Sequence, residues 1–422
     1  MGGAGGQHVR RFMSFGSPTR RPVILGSATR RPLTDSAFPP GCLEWMPPSQ
    51  RKGRHPVTEP TRLRCALIGT GGVSQLHARG VAAHPRADLI AVTDLSRPSA
   101  DAFAARWDVP AVYDTLDELL DAEKPDVVLI CTPPGVHREQ TVAAFAAGAH
   151  VIVEKPPAPS LDELDVMRAA ASAAGKQLAV VFQQRTGTAA AHVRELLSSG
   201  ALGRPLMAVC QTLWFRGPDY FAVPWRGKWA TEGGGTTLGH GIHQLDLLAF
   251  LLGDWASVQA QLWRLDRETE TEDASTAVVT FASGVVATVV TSAVSPRELS
   301  AIRIDTQKAT ITVKHLYGHG HENWKITPAA HIDAAEASGW ALPEHEERSD
   351  HGPLLRDVFN ALLEGRDLPA TASDPARSLE LVAAIYAAGA SGGVITPADL
   401  AAHATHRAGF ASPVADMRGL GA

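Results

Sequence analysis

The chain has 422 residues, too many for one hydrophobic core and enough for two domains. With 45% hydrophobic and 20% charged residues it reads as a globular protein, and no apolar run reaches the ~20 residues that span a bilayer, which argues against a membrane protein. A formal charge of -5 argues against an electrostatic nucleic-acid binder, and four scattered cysteines (Cys42, Cys65, Cys131, Cys210) with no CxxC pair argue against a disulfide scaffold or a metal site and for a reducing, cytoplasmic compartment.

Residues 1–60 stand apart. They carry Arg10, Arg11, Arg20, Arg21, Arg30, Arg31, Arg51, Lys52 and Arg54 against only Asp35, Glu44 and Glu59, and they repeat GSPTRRP (16–22) as GSATRRP (26–32). Such a segment buries too little apolar surface to offset its ordering entropy, so it reads as a disordered basic extension. Arg10-Arg11-Phe12 lacks the apolar stretch of an export signal. A basic arm for an anionic surface is a second reading, and an extension outside the functional protein, with Met46 nearer its start, is the one the composition favours.

From Arg62 strands and helices alternate. Strands are expected at 62–68, 87–93, 127–131, 150–153 and 177–182, with helices at 73–83, 99–107, 136–147 and 161–174. Apolar strands alternating with helices of this length imply βαβ units, hence a doubly wound parallel sheet over 62–183. After Gln184 a helix at 189–199 leads into strand-like runs at 206–215, 257–265, 274–281, 285–292, 299–305 and 309–313, with helices at 240–252, 354–364 and 375–389. Strands in series predict a second α/β domain over 184–396 with an open, largely antiparallel sheet. Its uncovered face, with Val278, Val286 and Val289, predicts a homodimer or homotetramer. Residues 397–422 read as a weakly patterned tail.

The turn Gly69-Thr-Gly71-Gly72-Val73-Ser74 links the first strand to the first helix. A Gly-rich turn there lets backbone N–H groups approach a pyrophosphate at the positive end of a helix. Asp94 ends the second strand, 25 residues after Gly69, where a carboxylate accepts the ribose hydroxyls of NAD and repels the 2′-phosphate of NADP; Arg97 nearby keeps NADP open. Thr132, Pro133 and His137 follow one strand, and Glu154-Lys155-Pro-Pro follows the next. The carboxyl ends of parallel strands line the ligand crevice, so these residues are expected at the cofactor, and a lysine beside an apolar wall is a candidate for proton chemistry. In the second half, Gly233-Gly-Gly235-Thr-Thr-Leu-Gly239-His240-Gly-Ile-His243-Gln-Leu-Asp246 opens a helix. His243 and Asp246 are three apart and share a face, so Asp246 is expected to orient the imidazole. Trp214 and Arg226 are expected to meet a sugar ring and its hydroxyls. His351 either lines the pocket or caps a helix.

The ordered set GxGxxS, Asp94, TPPxxH, EKPP and GGGxxxxxGxHxxD resembles the Gfo/Idh/MocA family of NAD(P)-dependent oxidoreductases, over about 62–396. The resemblance implies a Rossmann domain followed by an α/β domain, a sugar, inositol or related polyol as substrate, and Lys155 as catalytic lysine, with His243 and Lys155 acting on one substrate oxygen. It also implies Asp, or sometimes Asn, four positions before His243, where this chain has Gly239. Two alternatives remain: transient oxidation by held NAD in a hydrolase or epimerase, and a non-catalytic dinucleotide-binding protein.

Overall fold

The computed structural model describes residues 62–418 except 316 and 375; the expected basic extension lies outside the described residues. β1 (Leu63–Ile68), β2 (Ala87–Thr93), β3 (Ala111–Tyr113), β4 (Val127–Ile130), β5 (His150–Val153) and β6 (Leu178–Val180) form one sheet in the order β3-β2-β1-β4-β5-β6. All five pairings are parallel. This is the doubly wound Rossmann order, with its switch point between β1 and β4. β4 and the last three residues of β5 are apolar and buried, as strands covered by helices on both faces require.

The covering helices are α1 (Ser74–Ala83), α2 (Arg97–Trp107), α3 (Leu116–Glu123), α4 (His137–Ala146) and α5 (Leu161–Ala174). Local chemistry sets their ends. Ser160 caps α5 by accepting the Glu163 N–H, with Asp162 and Glu163 in the first turn, and Gly175 ends it in the left-handed conformation. β3 and α3 fall in a stretch where no element was expected. A three-residue, half-buried strand gives no alternation to read.

The second half builds on β7 (Pro205–Phe215), β8 (Trp255–Arg264), β9 (Ala274–Phe281), β10 (Val286–Ser292), β11 (Val294–Thr306), β12 (Ala309–Lys314), β13 (Trp324–Pro328) and β14 (Ala415–Asp416). Their order is β13-β12-β11-β7-β10-β9-β8-β14, antiparallel except at β7–β10 and β8–β14. Helices of this half are α6 (Thr188–Ser198), α7 (Pro218–Phe221), α8 (Trp229–Glu232), α9 (Ile242–Leu252), α10 (Ala334–Ser338), α11 (His351–Leu363), α12 (Ala376–Ser391), α13 (Pro397–Ala402) and α14 (Ala404–Ala408). α9 is buried along its whole length.

On the sheet's open face Met207 is 48%, Val278 44% and Val286 38% exposed. Val289, expected beside them, is buried at 2%. It stands three residues from Val286, and an odd spacing on a strand puts two side chains on opposite faces.

Two boundaries differ from expectation. α11 leaves the second half and packs on α1, so that Leu354, Leu355, Val358 and Phe359 share a core with Leu63, Leu67 and Val81. The following segment runs along β6, where Gln177 Nε2 donates to the Arg366 carbonyl (2.8 Å) and Leu368 N–H donates to Gln177 Oε1 (2.9 Å). Residues 397–416, expected to be weakly patterned, hold α13, α14 and β14, and Phe410 stacks on Tyr386 with centroids 5.5 Å apart. No described helix is long and apolar enough to cross a membrane.

Candidate active site

The Gly-rich turn crosses from β1 to α1 at the switch point. Gly69 has φ +85°, and a Cβ there would stand 3.0 Å from the Cys131 carbonyl group and from Thr132 Cγ2, so both conformation and closeness require glycine. A Cβ on Gly71 or Gly72 would meet no atom within 4 Å. Packing does not demand those two glycines; they keep clear the space in front of the α1 N-terminus that a diphosphate needs. Val73 precedes α1 and accepts from Leu76 N–H (2.9 Å). Buried Ser74 turns its hydroxyl back onto the Gly71 carbonyl (2.5 Å), which satisfies it inside the turn.

Asp94 Oδ2 accepts from Thr70 N–H (2.7 Å) and Thr70 Oγ1 (2.9 Å), and Oδ1 from Ser96 N–H (2.8 Å). The carboxylate is thus fixed at the end of β2, beside the turn, and stays partly exposed. Arg97 is held by Asp101 and Asp114, both at 2.8 Å, on an exposed helix face. Those partners compete with the phosphate contact left open for it.

Thr132 and Pro133 line the end of β4, with Thr132 Oγ1 donating to Gln140 Oε1 (2.6 Å) and Pro133 O accepting from Val136 N–H (3.2 Å). His137, expected at the cofactor, is fully buried instead: Nε2 lies 2.8 Å from the Thr132 carbonyl and Nδ1 3.1 and 3.2 Å from those of Pro156 and Pro157. It ties the loop after β4 to the loop after β5.

Glu154 is likewise turned inward. Its Oε1 lies 2.8 Å from His77 Nε2 on α1 and 3.2 Å from His351 Nε2 on α11. Burial alone would raise the Glu154 carboxyl, but the bonds to His351 and His77 hold it well below the ordinary range. His351 is pushed up to about 9: burial opposes protonation, and the bonds to Asp350 and Glu154 outweigh it. Burial holds His77 below its ordinary value. The donor atoms of the three lie within 4.8 Å of one another, a spacing that admits a metal ion, yet hydrogen bonds to one carboxylate oxygen already account for it. Asp350, not His351, caps α11 by accepting the His351 N–H (2.7 Å).

Lys155 follows on the same strand end and points the other way, donating from Nζ to the Gly239 carbonyl (3.3 Å). That bond joins the Rossmann half to the glycine run of the second half. Burial lowers the ammonium's pKa, against the attraction of Glu154. Gly239 lies in a π-helical turn, Thr237–Gly241, that opens α9. Buried Glu272 holds its start by accepting from Thr237 N–H (2.9 Å), Gly235 N–H (3.2 Å) and the Tyr386 hydroxyl (2.8 Å).

His240 and His243 are both buried, and burial keeps both imidazoles well below their ordinary pKa, with the positive charge of Arg216 and of Lys155 respectively adding to the effect. His240 Nε2 accepts from the Tyr220 hydroxyl (3.1 Å), whose oxygen accepts from Arg226 Nη1. His243 Nε2 has no hydrogen-bond partner among the described residues, and its ring meets the edge of Tyr317 at 5.4 Å. Arg226 also lies over the Tyr220 ring (3.9 Å) and pairs with Glu232 (3.2 Å).

Trp214, expected to stack on a sugar, is 2% exposed; Arg216 lies over its ring, His240 and Tyr317 meet it in T-shaped contacts, and Nε1 donates to Ser300 Oγ (2.9 Å). Asp246, expected to orient His243, is taken by Arg185, whose Nε and Nη2 donate to it at 2.9 and 2.5 Å, and by the Ser378 hydroxyl. A buried guanidinium satisfies a buried carboxylate better than a neutral imidazole does, so the shared helix face is overridden. Sequence reasoning missed Arg185, Glu232 and Glu272. All three are buried charges outside periodic patterns, where only the cost of an unpaired charge marks them.

Comparison with known proteins agrees with this arrangement. Two family profiles match, one described as an oxidoreductase family with an NAD-binding Rossmann fold over residues 63–182 and one as the GFO/IDH/MocA C-terminal domain over 190–312. D-glucoside 3-dehydrogenase of Escherichia coli is 35% identical over 195 residues, 45% of this chain and 54% of that protein. D-apiose dehydrogenase of Paraburkholderia graminis is 27% identical over 82% of this chain and 93% of that protein. The match to several curated relatives spans only a little over half of their length. Among solved structures, the WlbA dehydrogenase of Bordetella pertussis, in complex with NADH and UDP-GlcNAcA, has a TM-score of 0.71 at 27% identity, covering 79% of this chain and 97% of that one. With its NAD-binding Rossmann sheet, its mixed second sheet and the two matched profiles, the chain belongs to the Gfo/Idh/MocA family of oxidoreductases.

Proposed function

We propose that this chain is a dehydrogenase or reductase that moves hydride between NAD and a hydroxyl-bearing carbon of a sugar, inositol or related polyol. The observation that carries the reading is the approach of Lys155 from the Rossmann half to the Gly239 carbonyl, in the glycine run that leads to His243 of the second half, on the same strand-end side as the open Gly71-Gly72 turn. The relatives named for D-glucoside and D-apiose support that substrate class. The pairing of both nearby arginines, Arg226 with Glu232 and Arg216 with Glu298 (2.8 Å), also suits a neutral, hydroxylated ligand better than an anionic one.

Bound NAD supplies the hydride acceptor; the residues of the chain manage the proton and the developing charge. His243, neutral and with an unengaged Nε2, is the base for the substrate hydroxyl proton. Lys155 holds the same oxygen and stabilises negative charge that grows on it as the C–H bond gives up hydride. The alcohol thus loses one hydride and one proton and becomes a carbonyl; reduction is the reverse. Gly69, Gly71, Gly72 and Val73 present the turn to the diphosphate, Asp94 receives the ribose hydroxyls, and Thr132 and Pro133 border the crevice. Arg226 and His240, linked through Tyr220, form the polar wall on the substrate side. Asp94 favours NAD over NADP. The open face around Val278 and Val286 suits a second copy of the chain, giving a homo-oligomer.

The deciding experiment is a panel of sugars and polyols, each offered with NAD and with NADP and followed by nicotinamide absorbance. Turnover of at least one polyol with NAD is expected. Cofactor binding without turnover across the panel would overturn the reading.

A further inference from the structure

Glu232 is a carboxylate the proposed mechanism leaves unused. It ends α8, its side chain is 8% exposed, and it reaches the site from a segment that no sequence motif marks. Its Oε2 is fixed by the Gly227 N–H (2.6 Å), while Oε1 accepts from Arg226 Nη1 (3.2 Å). A Cβ built on Gly239 would find only Oε1 within 4 Å, at 3.7 Å. The glycine therefore leaves a space that Glu232 borders, and the Gly239 carbonyl at its edge is the group to which Lys155 Nζ donates.

Resting on the proposed polyol oxidoreductase function, we infer that Glu232 is the substrate-orienting carboxylate of this site: Oε1 accepts a hydroxyl of the polyol in the space left by Gly239, next to the oxygen held by Lys155. Three features support this. A carboxylate buried with one oxygen pinned is pre-organised, so it orients a ligand at little further entropic cost. Its other partner, Arg226, balances its charge, so the pair itself offers no net charge and suits a hydroxyl. Burial raises the Glu232 carboxyl above its ordinary value, with the Gly227 N–H, Arg226 and Lys155 opposing the rise. Around Lys155 stand Glu154, Arg226, Glu232, His240 and His243, and of these only Glu154 and Glu232 favour its charged form.

Two measurements test the assignment. In steady-state kinetics on a polyol that the panel shows to turn over, Glu232→Gln should lower kcat/KM on the order of tenfold to a hundredfold, the scale of a lost charged hydrogen bond, with NAD affinity unchanged. Placing a carboxylate in the cleared space, Gly239→Asp in a Glu232→Ala background, should recover part of the loss that Glu232→Ala alone suffers. The second measurement needs no turnover: competitive acetylation of Lys155 with acetic anhydride across pH, read by mass spectrometry. The Lys155 profile should move to lower pH in Glu232→Gln, because an attractive charge is gone. If no polyol turns over, the functional reading fails while this profile still judges Glu232. An unmoved profile, or Glu232→Gln kinetics equal to those of the unaltered protein, would overturn the inference; NAD binding by each variant shows that it is folded.

Discussion

Lys155 is at once half-buried, bonded to a carbonyl of the other half, and flanked by a carboxylate on its own strand end. Its loss should be chemical more than structural. Lys155→Ala is expected to lower turnover by roughly 10²–10⁴ and leave NAD binding intact, since the Gly69–Ser74 turn is untouched; stopped-flow turnover and cofactor titration check the two halves of that statement. His243→Ala should cost a similar factor, and the double variant little more, because both act on one oxygen. Asp94→Ser should move preference from NAD toward NADP, as measured by the ratio of kcat/KM values. At this scale the places of the turn glycines, Asp94 and Lys155 in the fold were readable because each follows the end of a strand, a position fixed by local pattern. Asp246 was not: its true partner, Arg185, is 61 residues away, and helical spacing carries no trace of it. Glu232 was hidden in the same way, at the end of a four-residue helix after an irregular loop.

Elements, rather than single residues, carry the stability of the crevice. α1, the end of β5 and the start of α11 meet in the bonds of His77, Glu154 and His351. His351, raised on folding to about 9 from an ordinary 6.5, adds stability that is full below pH ~6.5 and fades as pH climbs through 9. Glu154, held low, adds stability that is lost on acidification. Thermal midpoints should therefore fall between about pH 7 and pH 9.5, and His351→Gln should flatten that decline. α1 crosses α11 at Gly80, where a Cβ would lie 2.4 Å from Leu355 Cδ1. Gly80→Val should destabilise the protein by about 1–3 kcal/mol in denaturant unfolding and weaken NAD binding, because α1 also carries the cofactor turn. The amphipathic run of α11 was legible as a helix, but not its destination, since periodicity names a buried face without naming what covers it.

Among the described residues, one face of the second sheet exposes Met207, Val278 and Val286 among threonines and glutamines such as Thr276, Thr288 and Gln259. Val278→Asp with Val286→Asp should shift the proposed oligomer toward monomer in light scattering, with the spectrum of the bound cofactor unchanged. Val289 was grouped with Val278 and Val286 on composition alone; strict alternation along the strand would have placed it on the covered face. A different consequence follows from the path of the chain. It crosses from the Rossmann half to the second half after β6, returns as α11, and leaves again into α12, so the two halves are interleaved rather than joined end to end. Modular recombination at the obvious seam would therefore fail. A gene fragment ending near residue 183 encodes a dinucleotide-binding sheet without its back wall, and a foreign substrate domain grafted there would inherit the wrong neighbour for Leu63 and Val81. A workable chimera has to carry residues 351–373 with the N-terminal half, so the unit of exchange in this architecture is a discontinuous one.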